Sequence, residues 1–253
     1  MDLLHVSFQG AALGKRADMQ VLLPEAADEP HPVVYCLHGL SGDYSDLVRE
    51  HDLAAVCRQY GWALVMPDSG RGYWCNNPCP GGSAYEDHVV QDVIGWVERN
   101  LPVRTDRDGR AITGISMGGY GAFMLALRHP ELFCAASSQS GALYFANHRP
   151  HPDEERYPYT LMDALPAGRY DCFALAAAAV AAGSELPALH LHCGREDGLF
   201  DCNRMFHEHL DGLGVSHRWA EYNGAHTHDY WVAHFDETFE FFTDYLPVRQ
   251  KEA

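Results

Sequence analysis

A serine flanked by glycines, in the sequence Gly-Ile-Ser-Met-Gly at residues 114–118, constrains the fold of this chain more than any other feature. The apolar residues 110–113 before it predict a β-strand, and residues 119–128 after it predict a helix. A tight turn between the two admits only small residues beside the serine, and glycine fits because it lacks a Cβ. The alternative is a glycine-rich turn with an incidental serine. The strand and helix around it favour a nucleophile elbow at Ser116.

Strand-like and helix-like segments alternate along the rest of the chain. Two N-terminal strands joined by a turn come first, and continuous apolar runs then alternate with segments of helical spacing. This order predicts an α/β fold with a doubly wound, mostly parallel sheet and an antiparallel N-terminal edge. The predicted strands are residues 3–8, 17–23, 33–37, 62–66, 110–113, 133–139, 189–193 and 215–222, and the predicted helices are residues 46–60, 83–101, 119–128, 201–213 and 227–246.

The length of 253 residues fits one large domain, and we predict a single domain over residues 1–253. Residues 141–187 break the alternation, because they are rich in His, Pro and Glu before a helix-like run at residues 170–182. We interpret them as a small insertion over the active site. In the last helix an aromatic stripe predicts a face buried in the core, and its members are Trp231, Phe235, Phe239 and Phe242.

The chain is strongly acidic, with 35 Asp and Glu against 18 Lys and Arg and a formal net charge of −17. Such a surface repels phosphate backbones and anionic lipids, which argues against nucleic-acid and membrane partners. The N-terminal residues have neither a basic region nor a long apolar run, so we expect no signal peptide and a cytoplasmic protein. A homo-oligomer is compatible with the sequence, which does not specify a number of subunits.

The 8 cysteines and 16 histidines give little support for a metal site or a disulfide bond. Cys75 and Cys79 lie in a loop rich in Gly and Pro, where they could pair or bind a metal. No second pair of matching spacing exists, and a reducing compartment favours free thiols. The pairs His190-x-His192 and His226-x-His228 lack an evident third ligand. We predict neither a metal site nor a cofactor.

A serine hydroxyl needs a base within hydrogen-bonding reach and an acid that orients the base. On this fold both follow the serine in the chain, and the acid comes first. The acid candidate is Asp197, in the loop after the predicted strand 189–193. Glu196 and Asp201 are nearby alternatives, and a loop aspartate commonly serves only to cap a turn. Position favours Asp197.

Two histidines compete for the role of base after the predicted strand 215–222. His226 follows a turn of small residues directly, where a side chain can point back toward Ser116. His228 falls in the first turn of the predicted final helix. We favour His226, with His228 as the alternative, and a surface role is the competing interpretation of either.

The oxyanion of an acyl-transfer intermediate is held by backbone N–H groups, so the identity of the side chains matters little there. One donor is expected from the residue after the nucleophile, which is Met117. The other is expected from the loop that follows the predicted strand 33–37. There Gly39 allows a close approach of the backbone, and we assign the donor to Leu40.

With these pieces placed, the sequence resembles the esterase D-like branch of the α/β-hydrolases, which includes tributyrin esterases, S-formylglutathione hydrolases, and acetylxylan and feruloyl esterases. The matching segments are residues 37–42, 114–122, 193–197 and 224–231. The resemblance implies the α/β-hydrolase fold, with Ser116 as nucleophile, Asp197 as acid and His226 as base. His228 stands where that family often has an aromatic residue. Residues 68–74 resemble the family's substrate-side loop, which implies that Tyr73 and Trp74 bind substrate.

The predicted function is therefore a serine carboxylesterase that hydrolyses small, short-chain acyl esters through an acyl-enzyme, with a small-molecule ester as its partner. Two alternatives share the fold, namely a thioesterase of the S-formylglutathione hydrolase type and a sugar-ester deacetylase. A distant alternative is a catalytically silent binding protein with the hydrolase fold.

Overall fold

Eight strands form one sheet in the order β1-β2-β4-β3-β5-β6-β7-β8. The computed structural model describes residues 1–146, 161 and 164–248. β1 pairs antiparallel with β2, and β2 pairs antiparallel with β4, whereas all the other neighbours are parallel. The strands are β1 Asp2–Gly10, β2 Lys15–Leu23, β3 Val33–Leu37, β4 Ala63–Pro67, β5 Arg110–Ile115, β6 Ala135–Gln139, β7 Ala188–Gly194 and β8 His217–Tyr222.

Helices cover both faces of the sheet, as is usual for a mostly parallel sheet. The described helices are α1 Asp46–Glu50, α2 Leu53–Tyr60, α3 Tyr85–Asp87, α4 Ile94–Asn100, α5 Met117–Arg128, α6 Cys172–Ala182, α7 Phe200–Gly212 and α8 His228–Phe242. A π-helical segment, His88–Val93, joins α3 to α4. In the part of the chain that the structure describes, we find no helix with the length and apolar composition that a bilayer span requires.

The predicted fold class is confirmed, since the sheet is mostly parallel and has an antiparallel N-terminal edge. The single helix predicted over residues 46–60 is wrong, because it is broken between α1 and α2. His51 adopts an extended backbone, and the Asp52 carboxylate accepts a hydrogen bond from the Ala55 amide at 2.9 Å, which starts a new helix. Of the predicted insertion, residues 147–160, 162 and 163 lie outside the described residues, and the helix-like run predicted over residues 170–182 contains α6.

The core lies in two layers on either side of the sheet. β3 and β4 are buried along their whole length, as expected for strands covered on both faces. One layer packs α1, α2 and α8 on the sheet, and the other packs α4, α5 and α7. The aromatic stripe of α8 lies in the first layer at Phe235, Phe239 and Phe242, as predicted, but Trp231 is only partly buried.

This topology brings the functional loops together. β3 and β5 are adjacent and parallel, and their connections leave on opposite sides, which opens a crevice at their carboxyl ends. The loops after β3, β5, β7 and β8 all leave the same edge of the sheet. They carry residues 38–42, Ser116, Asp197 and His226 respectively.

Candidate active site

Ser116 stands in a strained turn between β5 and α5. Its backbone has φ 57° and ψ −115°, a conformation that residues with a side chain rarely adopt. A Cβ on Gly118 would collide with the carbonyl oxygen of Leu37, and one on Gly114 would collide with the backbone of Gly118. Both glycines are thus required by the close approach of the helix to the sheet. The turn pushes the Ser116 hydroxyl out at the end of β5, as the sequence pattern predicts.

His226 bridges the serine and a carboxylate. The Ser116 hydroxyl lies 2.9 Å from His226 Nε2, and His226 Nδ1 lies 2.8 Å from an oxygen of Asp197. The carboxylate can only accept a hydrogen bond, so Nδ1 carries the proton. Nε2 of the neutral ring is then left with a lone pair that accepts from the Ser116 hydroxyl. This is the tautomer that a general base requires.

Asp197 is buried under the imidazole in the loop after β7, and its side chain has no exposed surface. One carboxylate oxygen faces His226, and the other accepts a hydrogen bond from the Leu199 amide at 2.8 Å. Burial raises the pKa of the Asp197 carboxyl, but the hydrogen bonds from His226 and Leu199 outweigh it and lower that pKa below its ordinary value. Asp197 therefore stays ionised beside the imidazole at neutral pH.

The alternative residues lie elsewhere. Glu196 accepts a hydrogen bond from the Gly224 amide, which ties the loop of His226 to the loop of Asp197. Asp201 is exposed and pairs with Arg204 on α7. His228 is half-exposed as the first residue of α8, where its Nδ1 lies 3.4 Å from Glu50. The structure thus brings Ser116, Asp197 and His226 together and leaves these three alternatives outside the hydrogen-bonded chain.

The loop after β3 lies against the nucleophile, since a Cβ built on Gly39 would be 3.7 Å from that of Ser116. The Gly39 carbonyl accepts a hydrogen bond from His38 Nδ1 at 2.7 Å and another from the Gly42 amide at 3.1 Å. The carbonyl of Gly39 and the N–H of Leu40 belong to one trans peptide, in which they point in opposite directions. Because the carbonyl faces His38 Nδ1 and the Gly42 amide, the Leu40 N–H points away from both groups. Met117 opens α5, where an N–H has no partner within the helix.

Buried His38 holds that loop in place and was not identified from the sequence. It is 1 % exposed, and its Nε2 accepts a hydrogen bond from the Ser69 amide at 3.1 Å. The ring therefore links the loop after β3 to the loop after β4. Its position directly before Gly39 is the only sequence signal that could have marked it.

Gln139 is a second residue that the sequence analysis missed. Its carbonyl accepts from the Ser116 amide at 2.9 Å, and its side-chain amide donates to the Trp231 carbonyl at 3.0 Å. This buried glutamine at the end of β6 therefore connects the serine turn to the first turn of α8, just after His226. A single glutamine at a strand end carries no pattern that would have revealed this link.

An acidic cavity of about 460 Å³ opens beside Ser116 and His226. Trp231 forms one wall, with its ring edge-on to the His226 ring at 4.9 Å between centroids. Asp46 and Glu50 also line it, with the Asp46 carboxylate paired with Arg49, and no Lys or Arg lines it among the residues that the structure describes. The described lining residues are His38, Gly39, Leu40, Ser41, Gly42, Asp46, Leu47, Glu50, Ile115, Ser116, His226 and Trp231.

The sequence profile of the putative esterase family matches residues 10–242, a span that holds the serine turn, the acid, the base and the loop after β3. The chain belongs to this family. An esterase of Mycobacterium tuberculosis is 34 % identical over 149 residues, which are 55 % of this chain and 32 % of that protein. This match thus spans about a third of the length of the curated relative. An acetyl esterase of Caldicellulosiruptor saccharolyticus is 23 % identical over 95 % of this chain and 98 % of its own.

Solved structures share the α/β-hydrolase fold of this family member. A fluorophosphonate-binding serine hydrolase of Staphylococcus aureus superposes with a TM-score of 0.84 at 23 % identity, covering 95 % of this chain and 97 % of that one. An S-formylglutathione hydrolase of Agrobacterium tumefaciens has a TM-score of 0.82 at 20 % identity, covering 96 % and 95 %. At these identities the likeness establishes the fold alone.

Tyr73 and Trp74, which the resemblance implied as substrate contacts, do not line the cavity of this esterase-family chain. Trp74 is fully buried against His38, and it fills the space left by the missing side chain of Gly121. Tyr73 stacks on Phe145 at 4.0 Å between ring centroids. The segment turns back into the interface between helix and sheet, because glycine on α5 leaves room there for the indole.

The cysteines and strand histidines play structural parts. Cys75 is buried and lies 3.3 Å from the Tyr120 hydroxyl, whereas Cys79 is exposed, and both thiols are free. His190 and His192 are buried beneath α8, where the His192 Nδ1 lies 3.0 Å from the Tyr230 hydroxyl. Burial lowers the pKa of His192 to about 3, so this ring stays neutral.

Proposed function

We propose that this member of the putative esterase family is a serine carboxylesterase that hydrolyses small, short-chain acyl esters. The observation that carries the proposal is the continuous chain of hydrogen bonds from Ser116 through His226 to Asp197, with distances of 2.9 and 2.8 Å. Such a chain supplies nucleophile, base and orienting acid in the order that nucleophilic catalysis needs.

The reaction follows from this arrangement. Ser116 Oγ attacks the ester carbonyl while His226 Nε2 takes the hydroxyl proton, and the N–H groups of Leu40 and Met117 bind the resulting oxyanion. The intermediate collapses to an acyl-serine, and His226 returns the proton to the leaving alcohol. A water molecule then repeats the attack, releases the acid and restores Ser116. Asp197 stays ionised and stabilises the imidazolium in both steps.

The lining of the cavity favours neutral esters. Glu50 would repel a carboxylate on the substrate, whereas the charge of Asp46 is offset by Arg49, and the net charge of −17 adds to that repulsion. A glutathione thioester carries two carboxylates, whereas an acetylated sugar is neutral. Of the two alternatives on this fold, the sugar-ester deacetylase is therefore better supported than the glutathione thioesterase.

We further propose a cytoplasmic enzyme of one domain, residues 1–253. All 8 cysteines are free, which is expected of a protein in a reducing compartment. The partner is a small-molecule ester, and assembly into a homo-oligomer is compatible with this function.

The nucleophile is tested with Ser116→Ala. Hydrolysis of p-nitrophenyl acetate should fall by about 10⁴–10⁶-fold in kcat, because the remaining residues cannot form the acyl-enzyme. Circular dichroism and the thermal midpoint Tm should match the unchanged protein, and labelling by a fluorophosphonate probe should disappear. Turnover retained by a folded Ser116→Ala protein would contradict the proposal.

The substrate class is tested on the unchanged protein. We expect kcat/KM to decline as the acyl chain grows from acetyl to octanoyl, because the Gly, Ser, Asp and Glu residues of the lining offer a long apolar chain little apolar surface. Acetylated sugars should be hydrolysed faster than S-formylglutathione at equal concentration. The reverse order would favour the thioesterase.

A further inference from the structure

A second cluster of reactive side chains lies on the outer edge of the sheet. His207 and Asp211 occupy one face of α7, four residues apart, and His217 begins the edge strand β8. One ligand atom of each residue lies within 4.8 Å of those of the other two. His207 Nδ1 and His217 Nε2 are 2.7 Å apart, and His207 Nε2 lies 3.6 Å from the Asp211 carboxylate.

His217 is oriented by a hydrogen bond to a backbone carbonyl, as ligating histidines in metal sites commonly are. Its Nδ1 lies 2.8 Å from the carbonyl of Val215, which can only accept, so Nδ1 carries the proton. Nε2 therefore presents a lone pair toward His207. A ligating histidine in proteins commonly donates its other N–H to a backbone carbonyl in this way, which fixes the tautomer and the ring.

The ring of His207 is also held in place. It stacks on Trp219 of β8, with centroids 5.4 Å apart and planes 12° from parallel. Asp211 is the most exposed member, with 64 % of its side chain accessible, so its carboxylate has room to change rotamer. Two oriented imidazoles and one carboxylate thus lie within reach of a single ion, provided that the Asp211 side chain turns from His207 Nε2 toward Nδ1.

We propose that His207, Asp211 and His217 bind a divalent transition-metal ion, with Zn²⁺ as the best fit. Two nitrogens and one carboxylate oxygen are a donor set that Zn²⁺ takes in proteins, and a water molecule can supply the fourth position. Zinc–nitrogen bonds of about 2.0–2.1 Å at a tetrahedral angle require ligand nitrogens roughly 3.3 Å apart. Moving the two nitrogens apart by roughly 0.6 Å from 2.7 Å meets that requirement.

The proton balance is simple. In the metal-free pair His207 Nδ1–H donates to His217 Nε2. On binding, that proton moves to His207 Nε2, where water accepts it in a hydrogen bond because the carboxylate of Asp211 has turned to the metal. Both imidazoles stay neutral and no electron is transferred, so the step needs no further reactant.

This metal would act on structure and not on the ester. His217 opens β8 and His226 follows its far end, so the six-residue strand separates the two sites by roughly 17 Å at about 3.3 Å per residue. The metal would tie the edge strand β8 to α7, in addition to the hydrogen bonds that β8 makes with β7. The acidic surface would also raise the local concentration of cations.

The test is a titration of chelator-treated, buffer-exchanged full-length protein with ZnCl₂ by isothermal titration calorimetry. We expect one site, at least tenfold weaker in His207→Gln, His217→Gln and Asp211→Asn. The last variant changes an exposed side chain and should fold normally. His5→Gln is the matched control, because it removes a surface imidazole that lies 3.2 Å from the Asp18 carboxylate without belonging to a three-ligand cluster among the described residues. It should bind Zn²⁺ like the unchanged protein.

A second measurement separates this site from the active site. Zn²⁺ should raise Tm by several degrees in the unchanged protein and in Ser116→Ala, but not in Asp211→Asn. Ester hydrolysis by metal-free Asp211→Asn should equal that of the unchanged protein. Failure to bind Zn²⁺ below about 100 µM, or binding that survives in all three cluster variants, would overturn the proposal. Neither result would bear on the role of Ser116.

Discussion

His226 and His228 are only two residues apart, but they have different roles because a helix begins between them. His226 precedes the helix, with Thr227 as the N-cap residue of α8, so its ring is free to turn toward Ser116. His228 is already helical and faces Glu50. The start of one helix therefore determines which imidazole can serve the serine.

We predict that His226→Ala lowers kcat/KM for p-nitrophenyl acetate by about 10⁴-fold or more, because Ser116 loses its base. His228→Ala should stay within about threefold, since it removes only a half-exposed contact with Glu50. Steady-state kinetics on both variants provide the comparison. Equal losses in the two variants would argue against His226 as the base.

At the scale of the element, regular strands and the serine turn follow directly from the sequence. β3 and β4 are buried throughout and carry unbroken apolar runs, so their sequence pattern predicts two buried strands. Helical periodicity did not reveal the break at His51 or the π-helical segment His88–Val93. Both depend on local hydrogen bonds, such as the cap at Asp52, which leave the spacing of apolar residues unchanged.

The contact between α5 and β3 provides a prediction at the same scale. Gly118→Ala would drive a Cβ into the carbonyl of Leu37, which is backbone and cannot move alone. We expect the free energy of unfolding to fall by about 1–3 kcal/mol or more. Activity should also fall, because α5 carries the Met117 N–H. Denaturant unfolding and esterase assays measure the two effects.

Gly212→Ala is the matched control for Gly118→Ala. Gly212 lies in α7, a Cβ added to it would meet no heavy atom within 4 Å, and its backbone is not left-handed. Alanine should there stabilise the helix by up to about 1 kcal/mol. A Gly118→Ala protein as stable and active as Gly212→Ala would refute the close approach as the reason for glycine.

At the scale of the whole molecule, the order of strands and loops along the chain predicted the active site better than the character of single side chains did. Ser116, Asp197 and His226 come from successive loops at one edge of the sheet, so topology alone brings them near one another. No comparable rule predicts from the sequence which way an aromatic side chain points. Trp74 was expected at the substrate and lies in the core, whereas Trp231 was expected in the core and borders the cavity.

The His207 cluster was missed for a related reason. His207 and Asp211 are four residues apart on one helix, but their partner His217 belongs to the next strand. Sequence spacing gave no indication that the first residue of β8 would face α7. Only the packing of the helix on the edge strand shows that these residues meet.

The net charge of −17 gives a prediction for the molecule as a whole. Raising NaCl from about 0.01 to 0.5 M shortens the Debye length from about 30 Å to a few ångströms. kcat/KM for an anionic ester such as p-nitrophenyl hemisuccinate should therefore rise several-fold. That for neutral p-nitrophenyl acetate should stay nearly constant. A parallel response of the two esters would exclude charge as the discriminating factor.

The backbone of Ser116 has a consequence for protein engineering. Its φ of 57° and ψ of −115° cost on the order of 1–3 kcal/mol for any residue with a Cβ, a strain that glycine would relieve. Glycine in turn costs roughly 0.5–1 kcal/mol because it increases the freedom of the unfolded chain, so the net stabilisation amounts to as much as about 2.5 kcal/mol. Directed evolution for heat resistance alone would thus tend to select glycine at position 116. Every round of such a selection needs an activity screen, or it will enrich well-folded proteins that have lost their reactive hydroxyl.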